Sequence, residues 1–199
     1  MIHSKDRSGY FGASDTSILF GNWETPSFQM FWLKKLGLEN GNFSNKYTVA
    51  GTYFEERIID SLGLCGISDR QIIIEDLKLR VNYDFETADT IYEIKTYKEG
   101  KEFKVSKQYW RQAQVEMFAN PKKLCIVAYP LSDEDYRNIF RTIDKEKLRY
   151  FPIEYDEGFI NNEYLPRLKY LRDCLIKGVM PRSEEWNLIT AKFPLCNSA

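Results

Sequence analysis

The chain is expected to fold as an α/β protein, a mixed central β-sheet flanked by helices. Three observations predict it. Segments of alternating or continuous apolar β-rich character interleave with segments of helical period along the whole chain. At 199 residues, the chain has room for one domain with a sizeable core. No stretch is low-complexity or repetitive, so a single domain over 1–199 is the expectation.

The elements follow in order. Ser14 or Asp15 can cap a short helix ending at Leu19, and a second helix spans about Ser27 to Leu36, with Phe28, Phe31, Trp32 and Leu36 at helical spacing. Asn40 to Asn45 is rich in Gly, Asn and Ser and reads as a loop, before a third helix from about Thr48 to Leu62. Strands are expected near Gln71–Ile74, Leu77–Asp84 and Thr90–Thr96, the last two joined by a tight connection from Phe85 to Asp89. A charged loop leads to a helix from about Ser106 to Phe118. Leu124–Tyr129 is a continuous apolar run, hence a strand central in the sheet. A strand near Leu148–Tyr155 precedes a closing helix to about Lys177, with Tyr164, Leu168, Leu171 and Leu175 on one face.

Composition narrows the chemistry. The formal net charge is −1, so a nucleic-acid partner would need a local basic groove rather than a global positive field. The four cysteines, Cys65, Cys125, Cys174 and Cys196, include no CxxC pair, and the single histidine is His3. Zinc and Cys/His nucleophilic chemistry are therefore disfavoured. Reduced thiols and the absence of a membrane-length apolar run point to a soluble cytoplasmic protein with no membrane partner. Trp23, Trp32, Trp110 and Trp186 are read as packing residues rather than base-stacking platforms.

The most informative stretch is Val81-Asn82-Tyr83-Asp84 followed by Thr90-Ile91-Tyr92-Glu93-Ile94-Lys95-Thr96. Strand alternation puts Glu93 and Lys95 on one face, Tyr92 and Ile94 on the other. With Asp84 across from them, two carboxylates and an ammonium converge, as a divalent metal and an attacking water require for phosphodiester hydrolysis. Acid-x-lysine is a cheap pattern, recurring as Asp76-Leu77-Lys78, Glu99-Gly100-Lys101 and Glu102-Phe103-Lys104. Only Glu93-Ile94-Lys95 lies in an apolar strand beside another strand ending in an acid. Asp89 is a rival for the metal aspartate, but its place in the turn favours Asp84.

Two helices add to the set. Glu55 lies on the stripe of Ile58 and Ile59, where a carboxylate is costly unless it pairs, reaches solvent at the stripe's edge or binds a metal. Gly51, one turn earlier, would admit a close neighbour. On the later helix, Tyr109, Gln112 and Glu116 share a polar or semi-polar face, leaving Trp110, Met117 and Phe118 as candidate core. Gln112 and Tyr109 can hold a lysine amine, a water or a phosphate oxygen.

The order helix Glu, strand Asp, strand Glu-x-Lys, helix Tyr-x-x-Gln resembles the PD-(D/E)XK nuclease superfamily, and within it the lambda exonuclease and YqaJ-type viral recombinase group. Gly51-Thr52-Tyr53-Phe54-Glu55 fits the family's Gly-x-x-x-Glu helix. Tyr109-Trp110-Arg111-Gln112-Ala113-Gln114-Val115 fits its Tyr-x-x-Gln-x-Gln helix, the most specific motif. Arg7 followed by Gly12-Ala13-Ser14 matches an Arg and a Ser seven residues apart that bind a terminal 5′-phosphate in the family. The resemblance covers about 7–177, which sets that stretch as the nuclease core and 178–199 as a tail. The chain departs from the family at Asn82-Tyr83-Asp84-Phe85, where Ser-Pro-Asp-Gly is usual, so Asn82 replaces a phosphate-contacting Ser. A second phosphate-binding Arg has no certain counterpart, and Lys101 stands at a similar distance.

The resemblance implies a restriction-endonuclease-like core and a 5′→3′ exonuclease that resects linear double-stranded DNA ends for phage-type single-strand annealing recombination. Oxygen ligands without histidine select Mg²⁺ or Mn²⁺. The implied ligands are Asp84, Glu93, the Ile94 carbonyl and Glu55, with Lys95 orienting and helping to deprotonate the water and Gln112 and Tyr109 positioning Lys95 or the phosphate. Arg7, Ser14, Asn82, Lys101 and Gln114 are the implied DNA and 5′-phosphate contacts. Implied partners are duplex ends, further copies of the chain in a trimeric or tetrameric ring, and a single-strand annealing protein. The alternatives are a restriction or repair endonuclease of the same superfamily, and an inactive DNA-binding member of the fold.

Overall fold

A computed structural model of the chain describes residues 8–39 and 46–192. The strands are β1 (Ile67–Ile74), β2 (Leu79–Glu86), β3 (Thr90–Lys98), β4 (Lys123–Leu131) and β5 (Arg149–Ile153), adjacent in that order in one sheet. β1 to β3 form an antiparallel meander, β3 and β4 run parallel, and β5 returns antiparallel. A parallel step needs a crossover, and helix α4 (Lys107–Ala119) supplies it. The other helices are α1 (Thr16–Leu19), α2 (Pro26–Lys35), α3 (Lys46–Leu62), α5 (Leu165–Lys177) and α6 (Ser183–Lys192). The protein is thus α/β, with a five-stranded mixed sheet flanked by helices.

Local chemistry explains the ends of these elements. Pro26 opens α2 beneath Thr25, whose hydroxyl accepts from Phe28 N–H, and Ser106 caps α4 by accepting from Tyr109 N–H at 3.2 Å. The short helix expected behind Ser14 or Asp15 is α1, with Asp15 at its N-cap position, and a 3₁₀ turn, Ala13–Asp15, leads into it. The Asp15 carboxylate accepts from Gly12 N–H at 2.7 Å and pairs with buried Lys35 at 2.6 Å. The strand expected from Leu77 starts at Leu79, because Glu75–Leu77 closes a 3₁₀ turn and Lys78 takes a left-handed φ of 49°.

The connection expected from Phe85 to Asp89 is shorter, since Phe85 and Glu86 remain in β2. Phe85 is buried beside Ile94 and Val127. Glu86 is buried among Arg70, Lys122 and Asn120, whose amide donates to it at 2.6 Å. Burial pushes the Glu86 carboxyl up, but Arg70 and Lys122 outweigh it and hold it below its ordinary value.

Two cores sit on the sheet. The larger gathers Trp32, Leu79, Val81, Tyr83, Ile91, Ile126, Tyr164 and Leu168; the smaller joins Phe54 and Ile58 of α3 to Ile94, Val127 and Tyr129. β4 lies between β3 and β5, as its continuous apolar run requires, although β3 is the middle strand. The segment expected as a tail carries α6, whose Trp186 packs 6.2 Å from the Trp23 ring and 5.7 Å from Tyr170. Trp23 and Trp32 are buried with their indole N–H groups bonded to the carbonyls of Leu19 and Val179, which fits packing rather than base stacking. Among the described residues, no helix is long and apolar enough to cross a membrane.

One irregularity creates the site. β2 and β3 pair only at Phe85–Tyr92 and Glu86–Ile91, then diverge. Phe11 takes the vacated edge of β2, donating to the Lys78 carbonyl at 2.7 Å and accepting from Arg80 N–H at 2.8 Å. This brings residues 10–14 to the fork between the two strands.

Candidate active site

The fork opens into a cavity of about 230 Å³ lined by Gly12, Ser14, Lys35, Arg80, Asn82, Asp84, Glu93, Lys95, Gln112 and Glu116, among others. Alternation along β2 delivers Arg80, Asn82 and Asp84 to it, and the same period on β3 delivers Glu93 and Lys95. The α4 residues Gln112 and Glu116, four apart, close the wall. Their face was expected to be polar or semi-polar; here Gln112 and Glu116 are buried against the carboxylates, while Trp110 and Phe118 are only partly buried.

Bonds fix the cluster. Asp84 Oδ2 accepts from Ile94 N–H at 2.7 Å. In a strand, N–H and C=O of one residue leave on the same edge, so the Ile94 carbonyl also faces the fork. Glu93 pairs with Lys95 and accepts from Gln112 Nε2 at 2.6 Å. Gln112 Nε2 also donates to Glu116 Oε1 at 2.8 Å. The Lys95 ammonium lies 5.1 Å from the centre of the Tyr109 ring, itself stacked on Phe103.

The cluster holds excess negative charge. Burial, then the charges of Glu93 and Glu55, push the Asp84 carboxyl well above its ordinary value. Burial and Glu93 do the same to Glu116, and burial with Glu93 and Asp69 raises Glu55 to about 7. Burial alone would lower Lys95, but Glu93 and Asp84 outweigh it and raise the ammonium. Two carboxylates about 4 Å apart repel by about 4 kcal/mol at an effective dielectric near 20.

These features bear on whether a cation fits. The donors are all oxygen, the charge surplus would be relieved by a divalent ion, and Glu116 Oε2 is buried with no hydrogen-bond partner. Among the described residues, however, no group of three or more Asp, Glu, His or Cys side chains is arranged to hold an ion as it stands. Glu93 Oε1 is engaged by Lys95 and Gln112, and Asp84 Oδ2 by Ile94 N–H. The oxygen-only donor set is of the kind a hard cation takes.

The fold matches that of an alkaline exonuclease. The solved structure of the alkaline exonuclease LHK-Exo from Laribacter hongkongensis superposes with a TM-score of 0.62 at 18% identity, covering 94% of this chain and 95% of that one. A second solved structure, SSO0001, matches at a TM-score of 0.45 and 10% identity over 100% of this chain and 88% of its own, too distant to carry an argument. No protein-family model matches the chain, and no curated protein matches it by sequence.

The remaining sequence-derived residues divide three ways. Ser14 and Asn82 line the cavity beside Asp84, with Asn82 Oδ1 accepting from Gln71 Nε2 at 2.8 Å. Glu55, Ile94 and Lys101 line a second opening of about 670 Å³ on the other side of Lys95, with Gly51, Thr52, Lys98 and Tyr136. Lys101 is thereby separated from Ser14 and Asn82. A Cβ at Gly51 would sit 3.5 Å from Thr96 Oγ1, an ordinary contact, so the helix–strand approach does not demand glycine there. Gln114 joins neither opening: it is fully buried, donating to the Glu154 carbonyl at 2.8 Å and accepting from Asp156 N–H at 2.7 Å. Asp89 spends its carboxylate on the hydroxyls of Thr87 and Thr90 in the turn. Arg7 lies outside the described residues.

Sequence reasoning missed Arg80, Lys35 and the inward orientation of Glu116. Arg80 was discoverable, since it shares the period of Asn82 and Asp84. Lys35 was not, because only the N-terminal strap brings its helix to the fork.

Proposed function

We propose that this protein is a Mg²⁺- or Mn²⁺-dependent exonuclease that digests linear double-stranded DNA 5′→3′ and so resects ends for single-strand annealing recombination of phage type. The observation that carries the reading is the meeting of Asp84, Glu93, Lys95 and Gln112 in one cavity with Ser14 and Asn82. The match to an alkaline exonuclease fold supports it.

Asp84, Glu93, the Ile94 carbonyl and Glu55 would hold the ion. When bound, such an ion makes a water nucleophilic near neutral pH and stabilises charge on the scissile phosphate. Lys95, held as an ammonium by Glu93 and Asp84, donates to the attacking water or to a phosphate oxygen. Tyr109 confines the Lys95 side chain through its ring face. The Ser14 hydroxyl and the Asn82 amide donate to the 5′-phosphate at one side of the scissile bond, and Arg80 adds charge there. Lys98 and Lys101 meet the continuing strand on the other side of Lys95. Further copies of the chain closing a trimeric or tetrameric ring would keep the duplex captive between cuts, and an annealing protein would take the exposed strand. The setting is the cytoplasm of a host cell.

The test is mononucleotide release from linear duplex DNA with Mg²⁺, comparing 5′-phosphoryl and 5′-hydroxyl ends, with circular plasmid and Lys95→Ala as controls. Digestion of linear DNA alone, stimulated by the 5′-phosphate and lost in the variant, is the expected result. Nicking of the circle would replace the reading with an endonuclease. No cleavage of either substrate with Mg²⁺ or Mn²⁺ would overturn it.

A further inference from the structure

Glu116 is the one carboxylate of the cluster that the proposed chemistry leaves without a task. It is fully buried, and one of its oxygens has no hydrogen-bond partner. Such a group costs stability that leucine at the same position would not. Its backbone carbonyl is engaged by the Tyr83 hydroxyl at 3.1 Å and by Asn120 N–H at 3.0 Å, so the helix there is fixed independently of the side chain.

The side chain acts on Gln112. A glutamine amide has two N–H donors on Nε2 and one carbonyl acceptor, Oε1. Both donors are consumed, one by Glu93 Oε1 at 2.6 Å and one by Glu116 Oε1 at 2.8 Å. The reverse orientation would set the amide oxygen against the Glu93 carboxylate, which can only accept and is already held by Lys95. Glu116 accepts through Oε1 whether or not its second oxygen carries a proton. The amide is therefore locked with its oxygen turned away from both glutamates, and Gln112 lines the cavity with Asp84 and Lys95.

This bears on what Gln112 can bind. A phosphate oxygen needs a donor, and Gln112 has none to spare. A water or an ammonium offers a proton, and Gln112 Oε1 can accept it. We propose that Glu116 is a positioning residue which, with Glu93, locks the Gln112 amide so that Gln112 serves as an acceptor for the attacking water and not as a phosphate ligand. The inference rests on the nuclease reading for its catalytic consequence, but the locked amide does not.

Two measurements separate the parts. In kinetics on 5′-phosphorylated linear duplex with saturating Mg²⁺, Glu116→Leu is expected to lower kcat about 10²-fold with KM unchanged, as for a misoriented catalytic group. Glu116→Gln, which keeps an acceptor at the same reach, restores most of the rate. Because Glu116 works through Gln112, the double variant Glu116→Leu/Gln112→Ala is no slower than Gln112→Ala alone. Additive losses would overturn the proposal, since they mark Glu116 as acting independently, for example on the metal. An unchanged kcat in Glu116→Leu would also overturn it.

The second readout needs no activity. The Gln112 side-chain NH₂ resonances, identified by their loss in Gln112→Ala, should exchange slowly in the wild type and rapidly in Glu116→Leu. Rapid exchange in the wild type would remove the lock. A wild type inert on DNA but with a protected amide would sink the nuclease reading and leave the lock standing. Should Glu116→Leu not fold, Glu116→Asp, one methylene shorter, withdraws the acceptor and takes its place.

Discussion

The Asp84 carboxylate stands in for a strand: at 2.7 Å it accepts the Ile94 N–H that β2's backbone would have taken had the β2–β3 ladder continued. The fork is thus held open and closed off chemically by one side chain. Asp84→Asn keeps an acceptor for Ile94 but removes charge from a crowded site. It should lower nuclease activity about 10²- to 10⁴-fold, as should Lys95→Ala. Asp84→Asn should also melt no lower than the wild type without divalent ions, because repulsion from Glu93 and Glu55 is relieved. Calorimetry beside an end-digestion assay checks both halves.

Ser14 and Asn82 flank the cavity without belonging to the carboxylate cluster. Ser14→Ala and Asn82→Ala are therefore expected to spare slow digestion of 5′-hydroxyl ends while removing the advantage of 5′-phosphoryl ends. Each lost hydrogen bond to a charged group is worth about 1.5–3 kcal/mol, or roughly 10- to 150-fold in the ratio of the two rates. Equal losses on both ends would mean that the two residues do not read the phosphate.

Stability should depend on pH in a direction that ordinary carboxylates do not give. Glu55 is raised to about 7, and Asp84 and Glu116 are raised well above their ordinary values. The folded protein therefore binds protons more tightly than the unfolded chain, and this part of the stability is present at low pH and lost as pH climbs from about 4.5 through 7. Without divalent ions, Tm should fall between pH 5 and 8, at about 2–4 °C per kcal/mol lost. Mg²⁺ should flatten the fall by neutralising the ionised cluster. A Tm rising over that range would refute the electrostatic account.

Gln114 gives a contrasting expectation. Its amide ties α4 to the segment after β5 through Glu154 and Asp156. Gln114→Leu takes the side-chain partner from the Glu154 carbonyl and the Asp156 N–H, at a cost of about 0.5–1.5 kcal/mol for each hydrogen bond. The variant should melt lower while kcat/KM below its melting range stays near wild type. Loss of activity without loss of stability would assign Gln114 to the DNA instead.

Much of this was legible in the letters. Helical period exposed α2, α4 and α5, with α2 expected from Ser27 and found to start one residue earlier, at Pro26. β-rich alternation set Asp84, Glu93 and Lys95 on adjacent strands. What escaped was any residue whose partner lies far along the chain. Glu86 looked like turn material because Arg70, Lys122 and Asn120 are invisible from its own neighbourhood. Glu116 looked semi-polar because helical spacing cannot tell a polar face turned to water from one turned to a cluster of buried acids.

Local period and side-chain type suffice for the α/β class, the main helices and strands, and the residues able to do oxygen-ligand chemistry, so these could be read from the letters. The tertiary structure decided that β2 and β3 part after two pairs, that the strap at Phe11 occupies the gap, and that Lys101 stands across Lys95 from Ser14 and Asn82. Those relations join segments far apart along the chain. Packing fixes them together, and no local pattern encodes them.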